Sequence, residues 1–408
     1  MHSFTSGGLV QVFDSGFRAI APAIGVAALA ILQPGIDPVF LALLSEAHSL
    51  SPNLHGWVVA AAQAGLALGS LLSLLAGARL PSWSFAAAAL AAMAAALATG
   101  AIAHFPALLA LRAAHGAAMG LIYTQAMAHA ARHRPTGAFA AALLVQLLLS
   151  MVVAAGLPSL ANQRGAPAAL ELLALAPFGI LLILGTCRDA LGQRAEWDIA
   201  PRREARHASA STRAITSRTL LIAGAIFAFV CANMIVWSLT GALALGAGLD
   251  NETLGTAVSL GSLAGAVTAL AVLRERIVVP PALTALLCGA ALLAPMLGAR
   301  PSQPELFIAA IVLFNIGATA SVIRCSGLAA ASCTSTRALR FVSSMQTLGM
   351  IAGPALGSLA AMGDSRNGPL EAAALATILA CSAFIAWQRR PVPQAVPAEL
   401  YYEERQAA

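Results

Sequence analysis

Arg112, His115, Met119 and Tyr123 recur at spacings of three, four and four within residues 105–134, FPALLALRAAHGAAMGLIYTQAMAHAARHR. On a helix these spacings fall on one face, which would carry a fixed cation, an imidazole and a phenol. Such groups hold anions or pass protons. A guanidinium at membrane depth costs roughly 2.5–3.5 kcal/mol on insertion scales, so Arg112 must face a cavity or a partner. The matching acid is Asp37 in ILQPGIDPVFLALL, four residues after Gln33 and on its face. Asp37 alone among the acids lies deep in an apolar run; Glu46 and Glu171 sit near predicted ends. Burial penalises a charged carboxylate and a nearby cation favours it, so Asp37 is the expected proton carrier. Arg112 would tune it, and His115 could relay protons. Structural roles stay open for all three: Asp37 pairing with Arg112 or capping a broken helix, Arg112 bonding backbone carbonyls or a substrate anion, His115 satisfied inside a bundle. Pro34, Gly35 and Pro38 interrupt the helical ladder around these residues, and discontinuous helices mark many transport sites.

Further polar residues lie in apolar runs. Asn233 and Trp237 are four apart, and Gln146, Asn315 and Gln346 are comparable. With Gln33 and Tyr123 they are expected to line a cavity for a small organic solute, interhelical packing being the alternative. Arg324 lies near a predicted helix end, where snorkelling explains it. His129 and His133 have the spacing of a metal pair, but no third ligand is near and the helix end is basic, so no metal is expected. HExxH, GxSxG and P-loop motifs do not occur. All 23 basic residues are Arg, which removes the lysine of a Walker A loop and of a Schiff base. Neither an enzyme nor a cofactor is expected. The six Cys form no CxxC and read as small buried hydrophobes.

The elements that must position these residues are membrane helices. Of 408 residues, 59% are hydrophobic and 10% charged, against about 25% charged in soluble domains. Apolar runs at 19–44, 56–77, 84–103, 105–131, 138–161 and 168–186 precede a charged stretch, and runs at 219–247, 253–273, 277–298, 305–330, 341–362 and 369–388 follow it. Each approaches the roughly 20 residues that span a bilayer. The expected division is a six-helix bundle at 1–187, a cytoplasmic linker at 188–217, a second bundle at 218–390 and a tail at 391–408. With the N-terminus inside, the inner loops carry 18 Arg and the outer loops carry Arg164, Arg300 and Arg366. The positive-inside rule then places both termini in the cytoplasm of a bacterial inner-membrane protein. The net charge of +6 reflects this orientation, not nucleic-acid binding. The halves resemble each other weakly. Gly65 and Gly69 match Gly261 and Gly265, Asp37 matches Asn233, Gly116 matches Gly317, and Gln146 matches Gln346, at offsets of 196–201. Such parallel repeats suggest a duplicated unit with a site between its halves.

Arg112-Ala-Ala-His-Gly116 followed by Gly120 resembles the fourth-helix motif of the major facilitator superfamily. Gly349-Met-Ile-Ala-Gly353-Pro354-Ala-Leu-Gly357 in the eleventh run is similar to that family's GxxxGPxxG pattern, best known in the fifth helix of antiporters. Here the fifth run keeps only Gly156 and Pro158. The loop after the second run reads Ala-Gly77-Ala-Arg79-Leu-Pro81 and lacks the Asp of the family's gating motif. The resemblance implies an all-α fold of twelve transmembrane helices in two pseudo-symmetric halves. It implies a monomeric secondary transporter, with Arg112 acting in proton handling or conformational change and Arg79, Gly116, Gly120, Gly349, Gly353, Pro354 and Gly357 in gating and packing. Proton-coupled efflux across the inner membrane is the expected activity. An uptake permease, or a non-transporting assembly or sensor protein of the same fold, is the alternative.

Overall fold

The computed structural model describes residues 15–76, 80–133, 137–187, 216–273, 281–301, 303–332, 336–363, 365 and 367–390. These residues are helical with short connections. The N-terminal half contains α1 (Ser15–Ala30), α2 (Asp37–His48), α3 (His55–Ala76), α4 (Trp83–Ala101), α5 (Phe105–His133), α6 (Gly137–Arg164), α7 (Ala166–Glu171) and α8 (Leu175–Thr186). The C-terminal half contains α9 (Ser217–Gly246), α10 (Asn251–Leu273), α11 (Pro281–Gly298), α12 (Pro304–Ser332), α13 (Thr336–Met362) and α14 (Gly368–Arg389).

Nine stretches among the described residues are long and apolar enough to cross a membrane unaided, one of them the α7–α8 unit Ala166–Thr186. The broken α1–α2 unit, the shorter α11 and the more polar α13 bring the crossings to twelve, six per half.

The first apolar run is not the single helix its hydropathy suggests. Pro34 has no N–H, so the Ala30 carbonyl loses its α-helical donor. The chain tightens into a 3₁₀ turn at Gln33–Gly35, with Gly35 N donating to Leu32 O at 3.0 Å and Ile36 N to Gln33 O at 2.9 Å. An α-helical bond from Phe40 N to Ile36 O then restarts the helix as α2. Across the bundle, α6 backs the break. A Cβ on Gly35 would collide with Gln146 and Ser150, so only glycine lets the turn lie this close.

Packing inside each half depends on small residues. Gly65 and Gly69 of α3 lie against the backbone at Ala113 and Ala117 of α5, while Gly116 and Gly120 of α5 lie against Ala62 and Leu66 of α3. The two helices thus present small stripes to each other, which brings their backbones together. In the other half, Gly261 and Gly265 of α10 face Asn315 and Thr319 of α12, so the repeat seen in sequence falls on equivalent helix pairs. Gly349, Gly353 and Gly357 of α13 pack along α9 at Phe227, Cys231 and Ile235. α9 is the most enclosed span, with 72% of its apolar window buried against 28–44% in the other spans. It is the column around which the C-terminal half is assembled.

The two halves meet where α2, α6, α9 and α13 finish, here called the far end; α1 begins and α14 finishes at the near end. Close approach across the halves uses backbone. A Cβ on Gly56 would overlap the Pro354 carbonyl. One on Gly241 would come within 2.5 Å of Pro38 O, and one on Gly255 within 2.5 Å of Ala154 O. Asn251 Nδ2 donates to Glu46 at 2.8 Å and Asn162 Nδ2 to Glu252 at 2.9 Å, which ties the same end with side chains.

Candidate functional site

Among the described residues Arg112 is the largest fully buried side chain, 1% exposed. It projects from α5 toward the break between α1 and α2. Its Nη1 donates to Gln33 Oε1 at 2.9 Å, and its guanidinium carbon stands 5.2 Å from the centroid of the Phe40 ring. A hydrogen bond from a charged donor contributes about 1.5–3 kcal/mol, and a desolvated cation–π contact about 2 kcal/mol or more. These contacts offset part of the burial cost. Nε and Nη2 have no hydrogen-bond partner among the described residues.

Asp37 opens α2 and is 3% exposed. It forms no direct ion pair with Arg112. Gln33 stands between them, its oxygen taken by Arg112 and its amide beside the Asp37 carboxyl, which feels the Arg112 charge from beyond pairing distance. The helix break produces this arrangement: in a continuous helix, residues 33 and 37 would be stacked one turn apart, whereas the 3₁₀ turn re-aims Gln33 toward α5. His115, one turn on from Arg112, has Nδ1 3.1 Å from the Ala92 carbonyl of α4. A carbonyl only accepts, so Nδ1 carries the proton in this bond.

A cavity adjoins this centre between α1, α3 and α5. Ala30, Gln33, Asp37, Gln63, His115 and Met119 are in its wall. Gln63 escaped sequence reasoning. It is 3% exposed, and its Oε1 has no partner among the described residues. An isolated Gln in an apolar run carries no local sign of its neighbours.

Trp237 of α9 reaches the same break from the other half. Its Nε1 donates to Pro34 O at 2.7 Å, a carbonyl that Pro38 leaves without a helical donor. The indole stacks on Phe314 of α12, with centroids 5.4 Å apart and planes 3° from parallel. Gln146 is buried and donates to Ser150 at 2.9 Å behind the break. The other expected cavity residues do not converge here. Asn315 donates to Ile311 O of its own helix at 2.9 Å. Gln346 borders a separate space with Phe229 and Cys325. Tyr123 packs against an apolar cluster formed by α1, α4, α5, α6 and α8, and the Asn233 Oδ1 is buried without a partner among the described residues. Arg79 lies outside the described residues. Gly116 and Gly120 belong to the α3–α5 contact, Gly349, Gly353 and Gly357 to the α9–α13 contact, and Pro354 to the far-end seam.

That seam holds polar atoms with unusual surroundings. His55, fully buried at the start of α3, has Nε2 2.6 Å from Ser45 Oγ. His55 Nδ1, Asn53 Oδ1 and Ser358 Oγ are all buried without partners among the described residues. Ser358 and Pro354 of α13 both lie over Gly56.

Solved structures of transporters share this architecture. The xylose transporter XylE from E. coli, in an inward open conformation, superposes with a TM-score of 0.68 at 13% identity, over 92% of this chain and 98% of that one. A mutant of the nucleoside transporter NupG gives 0.64 at 11% identity, over 90% and 99%. A bacterial homologue of the human lysosomal transporter Spinster, inward-facing and occupied, gives 0.62 at 13%, over 91% and 96%. At such identities the likeness is one of fold. A sequence search of curated proteins finds no significant match. The sequence profile of the Major Facilitator Superfamily matches residues 20–338, and with twelve crossings in two six-helix halves the chain belongs to that family of multi-pass membrane transporters.

Proposed function

We propose that this transporter moves a small organic solute by alternating access, driven by protons that bind and leave Asp37, with export from the cell as its direction. The observation that carries this reading is the Arg112–Gln33–Asp37 chain, buried at a helix break which Trp237 of the opposite half also contacts. Two opposite charges held apart by one amide form a bistable arrangement. A charged Asp37 competes for the free edge of Arg112; a protonated Asp37 leaves Arg112 to Gln33. Because Gln33 sits in the turn whose carbonyl holds Trp237, a change at the carboxyl bears on the contact between the halves. One acid and one base near the centre suit a solute of low net charge. With the termini in the cytoplasm, as the Arg count favours, the far end would face the outside of the cell. The protein is expected to act as a monomer, with protons and solute as its partners.

The test is proton exchange on adding a solute panel to purified protein in weakly buffered detergent, wild type beside Asp37→Asn, followed by flux of any hit in proteoliposomes. The expected result is solute-dependent proton release or uptake in the wild type only. Identical exchange in both proteins removes Asp37 from coupling. No binding and no flux across the panel would favour a non-transporting role.

A further inference from the structure

The near end of the C-terminal half carries a second cluster of charge, far from Asp37. Arg218 stands in the first turn of α9, Arg389 ends α14 and Arg390 caps it. The Arg218 guanidinium lies over the Trp387 ring, its carbon 4.6 Å from the centroid, and Nη1 donates to Arg390 O at 2.8 Å. Trp387 is itself buried and packs on Phe384, with centroids 5.4 Å apart. The indole and the carbonyl thus hold in place a side chain that is otherwise free to swing. Nη1 is the terminal nitrogen on the Cδ side. Its bond leaves the opposite edge uncommitted, where the Nε and Nη2 N–H groups run parallel. That edge is the fork that takes two oxygens of one phosphate. Arg389 and Arg390 are exposed beside it. Among the described residues, no acid stands in the near-end turns of this half; Asp250, Glu252, Glu305 and Glu371 all lie at helix starts at the far end.

The surroundings are those of a membrane boundary. α9 and α14 are both long and apolar enough to span a bilayer, and the cluster occupies their terminal turns. Tryptophan and arginine at the end of a span sit at headgroup level. Further in, Leu220 of α9 and Ile378 and Leu379 of α14 are exposed and offer apolar surface to acyl chains. A soluble anion uses the arginines but not these flanks, and a zwitterionic lipid brings a cation of its own, which the arginines repel. We propose that the junction of α9 and α14 binds the headgroup of one anionic phospholipid from the leaflet at the near end. Its phosphate sits on the Nε–Nη2 edge of Arg218, Arg389 and Arg390 add charge, and the acyl chains run along the apolar flanks. The proposal does not depend on Asp37 or on the direction of transport.

The full chain in uncharged detergent is titrated with phosphatidylglycerol or with phosphatidylcholine of the same acyl chains, and bound lipid is counted by native mass spectrometry. One phosphatidylglycerol is expected to bind saturably, at concentrations where phosphatidylcholine does not. A basic residue at an anionic membrane surface is worth roughly fivefold in affinity, and loss of a positioned fork costs more. Arg218→Gln should therefore raise the half-saturating concentration by roughly tenfold or more. Arg218→Lys, which keeps the charge but cannot present two parallel donors, should weaken binding nearly as much, whereas Arg300→Gln at the far end should change nothing. Equal retention of the two lipids, unchanged affinity in Arg218→Gln, or wild-type affinity in Arg218→Lys overturns the proposal. Displacement of the lipid by an equal concentration of inorganic phosphate overturns it as well, since the site then takes a free anion. If Arg218→Gln does not fold, a photoactivatable phosphatidylglycerol on the wild type decides: crosslinks at the start of α9 and the end of α14 support the site, and crosslinks confined to other helices sink it.

Discussion

Trp237→Phe is the substitution that isolates the link between the halves. Phenylalanine keeps an aromatic ring on Phe314, 5.4 Å away, but removes the N–H that donates to Pro34 O at 2.7 Å. That carbonyl has no helical donor to fall back on, because residue 38 is proline. Leaving a buried acceptor unpaired costs about 1–3 kcal/mol. The cost falls on the conformation in which Trp237 reaches the break, and in the proposed cycle opening the far end draws α9 away and exposes the carbonyl to water. At about 1.4 kcal/mol per factor of ten, the ratio of far-end-open to far-end-closed molecules should rise roughly 5- to 140-fold. Ser358→Cys, in a background stripped of native cysteines, places a thiol in the seam where the serine is buried. Its rate of modification by a membrane-impermeant maleimide follows the open fraction. Trp237→Phe should accelerate labelling within that range, up to saturation. An unchanged rate would refute the argument, because it would mean that the hydrogen bond contributes equally to both conformations or to neither.

Gly56→Val should prevent the seam from closing, since even a Cβ there overlaps the Pro354 carbonyl; the same thiol should then label at its maximal rate while solute flux is lost. Gly116→Ala should lower stability by about 1–3 kcal/mol through overpacking against Ala62 and Leu66, read as a lower unfolding midpoint, while Gly185→Ala, which meets nothing within 4 Å, should leave it unchanged. Asp250 caps α10 by accepting from Thr253 N at 2.7 Å, and the Thr253 hydroxyl together with that N–H holds its carboxyl below the usual carboxylate range. A depressed pKa gives stability that is present above the unfolded value near about 3.9 and is lost as pH falls through the folded value. Asp250→Asn, an equally good cap, should therefore match the wild type at neutral pH and lack this part of its acid sensitivity; identical acid limbs would remove the cap from the account.

The break in the first crossing was readable from Pro34, Gly35 and Pro38, because proline removes donors whatever surrounds it. The association of Gln33, Asp37 and Arg112 was partly readable as well: charges in apolar runs need partners, and only one acid was deep enough to serve. That Gln33 stands between the charges was not readable, since it depends on the 3₁₀ turn rotating residue 33 away from a helical register. Trp237 was chosen for its spacing to Asn233, yet it is the neighbour across the bundle, Pro34 O, that gives it a partner, and no local pattern encodes a partner 203 residues away. Gln63 and His55 went unseen for the same reason. Conversely, Tyr123 shares a helical face with Arg112 in sequence but lies three turns along the axis, among apolar side chains. Periodicity gives a direction around a helix and no position along it.

The far-end seam rests on main-chain atoms, with Gly56 on Pro354 O, Gly241 on Pro38 O and Gly255 on Ala154 O. Its consequence is steepness. Backbone contacts of this kind have no long side chains to stretch or follow, and a gap of 0.5–1 Å already forfeits a quarter to a half of such an attraction. Once separation begins, water can reach His55 Nδ1, Asn53 Oδ1 and Ser358 Oγ, which have no partners among the described residues. The seal thus weakens and the incentive to hydrate it grows over the same first ångström of movement. A slightly parted seam keeps only the longer side-chain ties, Asn251 to Glu46 and Asn162 to Glu252, so most of the seal is lost over that first ångström.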